Sequence, residues 1–183
     1  MIRLKQLLRE ISDPDLKRCL EKIKNDDFKI IGAGDNGRVY EINGEDKVFK
    51  ITKERDEYKV AARIVNKHTE YSSFIPVYYV NGSDMFIMAN AEPLPETIKQ
   101  EIDMFMRDFG QFAREQGGEV SIFEFISQTD SVNTQLNNFL DALQLDIEKL
   151  NIPEFDLDLD FRSENVMTWN GKMVMVDWWH IFI

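Results

Sequence analysis

The sequence predicts an α+β chain of two lobes, an antiparallel β lobe holding one helix and then a small, mostly helical lobe. Three observations carry this. Residues 28–51 read FKIIGAGDNGRVYEINGEDKVFKI, short strand-like runs broken by a glycine-rich turn and by Asn43-Gly44, a tight-hairpin signal. Farther on, Ile98, Ile102, Phe105, Phe109 and Phe112 step by 4, 3, 4, 3, the spacing of one helical face. Between these regions Pro93 and Pro95 punctuate AEPLPE, where a lobe boundary or hinge is expected. The expected organisation is an N-terminal helical extension over 1–25, a β lobe over 26–91 and a second lobe over 92–183.

Ile2, Leu4, Leu7, Leu8 and Ile11 share a helical face. Ser12 offers an N-cap before a second short helix, whose first turn tolerates Pro14 and which carries Leu16, Leu20 and Ile23. This stretch reads as a packing arm, with Cys19 a small buried side chain on the same face. After the three strands, KERDEYKVAARIVNKH (53–68) returns to helical period, with Tyr58, Ala61, Ala62 and Val65 on one side. SSFIPVYYV, NGSD and MFIMA then form a second hairpin. Past the prolines, 96–115 is a helix ended by Gly117-Gly118, SIFEFISQ is a short helix, and 131–150 is a long one ended by Pro153. Phe105, Phe109, Phe112 and Phe139 are expected to be core. Two apolar runs around Asn170-Gly171 make a last hairpin, with Trp178 and Trp179 packing the C-terminus.

Composition narrows the function. The 183 residues include 22 Lys+Arg and 33 Asp+Glu, a net charge of −11, which argues against a nucleic-acid binder and against docking on anionic membrane. One cysteine excludes an internal disulfide and a cysteine-based zinc cluster, and two histidines make a His-rich metal site a poor expectation. No apolar run is long enough to span a bilayer, and the first residues lack a signal-peptide core. The expected compartment is cytoplasmic.

Four groups of residues could carry chemistry. Gly32, Gly34 and Gly37 precede Val39, a spacing that lets a backbone turn approach phosphate oxygens. A hairpin follows instead of a helix, so a glycine-rich β-hairpin over a nucleotide fits better than a dinucleotide-binding turn. On the next strand, alternation puts Val48 and Lys50 on one face and Phe49 and Ile51 on the other. A lysine on the buried face needs partners, and a phosphate and a carboxylate would serve. Glu57, seven residues on, is the leading carboxylate, with Glu54 and Glu70 as alternatives. Last, Asp160, Arg162 and Asn165 precede a hairpin that ends at Asp177. That hairpin can bring Asn165 and Asp177 to one metal as hard oxygen ligands of the kind Mg²⁺ prefers, leaving Asp160 to accept a proton from an attacking hydroxyl.

In this order the residues resemble the protein-kinase fold in a very short form, from about residue 28 to residue 179. The resemblance implies a glycine-rich loop at Gly32, Gly34, Gly37 and Val39, and Lys50 holding the α- and β-phosphates of ATP beside Glu57. It implies a hinge strand over 85–91, with Met88 as gatekeeper and the Ala89, Asn90 and Ala91 backbone bonding adenine. It also implies Asp160 as catalytic aspartate, Arg162 steadying the γ-phosphate, and Asn165 and Asp177 as Mg²⁺ ligands.

The departures are as informative. Asp158-Leu159 stand where His-Arg are usual, and Trp178-Trp179 where Phe-Gly follow the metal aspartate. Six residues follow Asp177, so the activation segment and the later helices that bind substrate are expected to be missing. Short chains with such an ending resemble kinase-like proteins of bacteriophages, which would place this one in a host cytoplasm. The leading expectation is therefore an ATP-dependent phosphotransferase, a minimal Ser/Thr protein kinase with a protein substrate. A pseudokinase or binding module that contacts a protein partner is the alternative, and a small-molecule kinase comes third. A homodimer could supply the missing surface.

Overall fold

The structure, a computed structural model, describes residues 12–118, 120–128, 134–150 and 161–177. It is an α+β fold. Among the described residues there are five α-helices, one five-stranded antiparallel sheet and one three-stranded antiparallel sheet. The chain divides into two compact units, residues 1–67 with 76–90, and residues 68–75 with 91–183.

The first unit begins with α1 (Pro14–Lys24). Its N-cap is Asp13, one residue later than the expected Ser12. Pro14 fills the first helical position, so the residue just before it makes the cap, and Asp13 Oδ1 accepts from the Asp15 and Leu16 N–H groups. The sheet follows in spatial order β1-β2-β3-β5-β4: β1 (Phe28–Ala33), β2 (Gly37–Ile42), β3 (Lys47–Thr52), β4 (Val77–Val80) and β5 (Met85–Ala89). The Asn43-Gly44 turn joins β2 to β3 with Gly44 at φ 71°, a left-handed conformation that glycine adopts without strain.

Alternation gives this sheet two different faces. Phe49, Met85 and Ile87 join Leu16, Cys19 and Leu20 of α1 in one core cluster with Ile42 and Tyr79. Tyr40 stacks on Phe49 at 4.6 Å, and Phe28 meets both rings edge-on. Residues 14–24 are thus integral to the first unit. Burial pushes the Cys19 thiol up to about 11, which suits an inert packing side chain. Ion pairs tie α1 to the β2–β3 turn: Arg18 binds Glu45 at 2.7 Å and Lys22 binds it at 3.0 Å. Hydrogen bonding from Arg18, with help from Lys22, holds the Glu45 carboxyl down at about 2.

The opposite face carries Val48, Lys50, Phe86 and Met88, and α2 (Arg55–Ile64) packs here. Its buried residues are Glu57, Val60, Ala61 and Ile64. The expected apolar side of Tyr58, Ala61, Ala62 and Val65 is rotated from this: Ala62 is exposed, and Tyr58 and Val65 are half-buried. The buried stripe contains a carboxylate, and a search for apolar residues passes over it.

In the second unit β6 (Glu92–Pro93), β7 (Val166–Trp169) and β8 (Lys172–Met175) form the small sheet. Helix α3 (Glu96–Glu115) covers the predicted residues and ends with Gly117 and Gly118 at φ 91° and 100°, where the Gly118 N–H closes on the Ala113 carbonyl. Helices α4 (Ile122–Gln128) and α5 (Thr134–Leu150) follow. Phe105 and Phe139 are buried as expected, whereas Phe109 and Phe112 are only half-buried, their rings against Phe125. No helix of the described residues is long and apolar enough to cross a membrane.

Candidate functional site

In the first unit the strand register gathers candidate residues on one face. Gly32 pairs with Val39, Val39 with Lys50, and Lys50 with Phe86, a row across four strands. Val48 pairs with Met88 in the next row. Met88, the expected gatekeeper, is 5% exposed.

Lys50 is 6% exposed and Glu57 is fully buried, with Nζ to Oε1 at 2.5 Å. The structure thereby selects Glu57 from the three carboxylates left open by the sequence. Glu54 is the residue before the first turn of α2, where its side chain makes no capping bond. Glu70 lies on the exposed surface of the second unit, where its carbonyl accepts from Lys149. A buried ion pair is a costly element, since both charges lose their water, so this one is weak evidence of stabilisation for its own sake.

The glycine-rich segment is the turn between β1 and β2, closed by the Gly34 N–H on the Gly37 carbonyl at 3.0 Å. It is tied to the end of β3: Lys53 N–H donates to Asn36 O, and Lys53 Nζ to Asp35 O. The glycines serve different ends. A side chain at Gly37 would run into the Ile51 carbonyl and come within 3.2 Å of Thr52 Cα, so the fold itself requires this glycine. At Gly34 an added methyl group meets nothing within 4 Å. Gly37→Ala is therefore expected to lower stability by about 1–3 kcal/mol in chemical denaturation, as overpacking does. Gly34→Ala should leave stability unchanged or raise it by up to about 1 kcal/mol, since alanine is less free than glycine in the unfolded chain. Equal losses at both positions would contradict this assignment.

Of the expected hinge backbone, the Ala89 N–H donates to the Pro76 carbonyl and the Asn90 N–H to the Asp46 carbonyl. Both donors are engaged within the fold of the first unit. Ala91 belongs to the second unit.

In the second unit the β7–β8 hairpin turns through Asn170 (φ 51°) and Gly171 (φ 75°), as the sequence signal requires. Its register pairs Val166 with Met175, and the Val176 N–H donates to the Asn165 carbonyl at 2.9 Å. Asn165, on a 3₁₀ turn (Ser163–Asn165), and Asp177 are thus brought to the same end of the hairpin, both half-buried, with Asp177 Oδ1 fully buried. Two oxygen donors so placed suit a Mg²⁺ that takes its remaining ligands from phosphates and water. No cluster of three or more His, Cys, Asp or Glu side chains able to hold a metal occurs among the described residues. Arg162 is exposed on extended backbone before the turn. Asp160, Trp178 and Trp179 lie outside the described residues. Next to Asp160, Phe161 is fully buried, stacked on Phe139 at 6.0 Å and edge-on to Phe105 at 6.1 Å.

One feature of this unit went unread in the sequence. Asp146 is 1% exposed on the apolar side of α5, between Leu143 and Ile147. Its Oδ2 accepts from both the N–H and the Oγ–H of Ser73 at 2.9 Å, and its Oδ1 accepts from Lys149. A carboxylate inside an apolar helical stripe is the signal that could have found it.

No protein-family model matches the chain, and a search of curated proteins found no match.

Proposed function

We propose that this protein is an ATP-dependent phosphotransferase of the protein-kinase type, acting on a Ser or Thr hydroxyl of a protein substrate. The observation that carries the reading is the buried Lys50–Glu57 pair on the sheet face shared with Val39 and Met88. Such a pair is expensive to maintain, and its use is to hold an ammonium rigidly for the α- and β-phosphates. The open space at Gly34 allows the close backbone approach that a phosphate needs, so Gly34→Ala, neutral for folding, weakens nucleotide binding about tenfold, or 1.4 kcal/mol.

Phosphoryl transfer needs positioning and charge neutralisation more than covalent chemistry. Asn165 and Asp177 would hold a Mg²⁺, which would supply neutralising charge for the transfer, Arg162 would steady the γ-phosphate, and Asp160 would orient the hydroxyl and take its proton. The protein-kinase-like two-lobed fold is part of the same proposal. So is a host-cytoplasm setting for a chain resembling bacteriophage kinase-like proteins.

The test is thermal unfolding with and without Mg-ATP, beside Asp177→Asn. A ligand at a hundred times its dissociation constant adds about 2.7 kcal/mol, roughly 5–10 °C for a chain of this size. A metal-dependent rise in the wild type, lost in Asp177→Asn, supports the reading. No rise at millimolar nucleotide sinks it.

A second reading is a pseudokinase that acts by contacting a protein partner, for which Ile30, Ile31 and Ile51, 53%, 49% and 39% exposed, would offer apolar contacts.

A further inference from the structure

We infer that Asp146 is a positioning residue for the Asn165–Asp177 pair, acting through Ser73. The inference rests on the reading of that pair as the metal-holding residues. The path is short and hydrogen-bonded throughout. The Asp146 carboxylate takes both donors of Ser73. The Ser73 carbonyl accepts the Met175 N–H at 2.7 Å, and the Met175 carbonyl accepts the Ile75 N–H at 2.9 Å. Phe74 thereby bridges Met175 in parallel fashion, and β8 is gripped at its last residue. The next N–H, that of Val176, donates to Asn165, and the residue after it is Asp177. The end of β8 is thus held from two sides, by the Asn165 turn and by the Ser73 segment, and the Ser73 side is fixed by a buried charge.

The cost of that charge argues for its purpose. Ser73 and Asp146 are each 1% exposed, and a leucine at position 146 would continue the stripe of α5 without desolvating a carboxylate. What a leucine could not do is orient Ser73. A carboxylate with two convergent donors fixes the direction of the segment that follows, and hence where β8 delivers Asp177.

The experiment titrates Mg²⁺ against the ATP-induced thermal shift at saturating ATP, in full-length wild type, Asp146→Ala and Asp146→Asn. Asp146→Ala is expected to raise the Mg²⁺ midpoint about tenfold or more, the usual effect of losing a group that orients a metal ligand. Asp146→Asn keeps an oxygen for Ser73 and should stay close to wild type. The metal-free ATP shift should be equal in all three. A purely structural Asp146 would lower the melting temperature and leave the Mg²⁺ midpoint unchanged, and that result overturns the inference alone. A wild type with no Mg²⁺-dependent shift overturns the metal-site reading and this inference with it. If Asp146→Ala does not fold, Ser73→Ala, which removes one of the two donors, carries the test. An unchanged midpoint in folded Ser73→Ala overturns the inference, and a raised one supports it.

Discussion

Replacing Glu57 with alanine should destabilise the protein by about 3–5 kcal/mol, because the Lys50 ammonium is then left buried without its closest countercharge. Lys50→Ala should cost a similar amount, since Glu57 is fully buried. The double substitution Lys50→Met/Glu57→Leu removes both charges and fills the same space. It should recover most of the loss, and even exceed wild-type stability, as apolar replacements of buried ion pairs often do. Urea denaturation of the four proteins measures this directly. All three variants should lose the Mg-ATP thermal shift, including the stable double variant. That last result separates function from folding. A double variant that still bound Mg-ATP normally would remove the phosphate role assigned to Lys50. A Glu57→Ala variant destabilised by less than about 1 kcal/mol would show that water reaches the pair.

The contrast between Glu57 and its neighbours explains what the sequence could and could not disclose. Local features were legible because they depend on few residues. The Asn170-Gly171 turn sets its own hairpin, and with it the approach of Asn165 to Asp177. The apolar spacing of 96–115 sets α3 residue for residue. The α2 stripe was misread because its first member is charged: Glu57 belongs with Val60, Ala61 and Ile64, and a partner on β3, Lys50, makes its burial tolerable. The same reason hid Asp146. It is one of 33 acidic residues, and its partner Ser73 is 73 positions away. Phe109 and Phe112 have core spacing yet lie toward the end of α3, where periodicity gives the direction of a side chain and not how much protein covers it. The integration of α1 into the first unit also depended on a distant surface, the Phe28–Tyr40–Phe49 face of the sheet.

If Asp160 is the general base of the proposed transfer, Asp160→Ala should reduce phosphotransfer by about 10²–10⁴-fold while leaving the Mg-ATP thermal shift near wild type, since a general base acts on the hydroxyl and not on nucleotide affinity. The neighbouring Phe161 is itself buried, with ring contacts to Phe105 and Phe139. Transfer of labelled γ-phosphate into a mixed protein extract provides the assay, with a panel of hydroxyl-bearing small molecules beside it to expose a small-molecule kinase. The same variant decides between the two readings of the protein. If transfer is the function, Asp160→Ala abolishes the biological effect and the label together. If the exposed Ile30, Ile31 and Ile51 serve a binding module, Asp160→Ala retains the full effect, and Ile51→Asp removes it without altering the nucleotide shift. The two readings thus demand opposite outcomes from residues on different units, so neither result can be absorbed by the other.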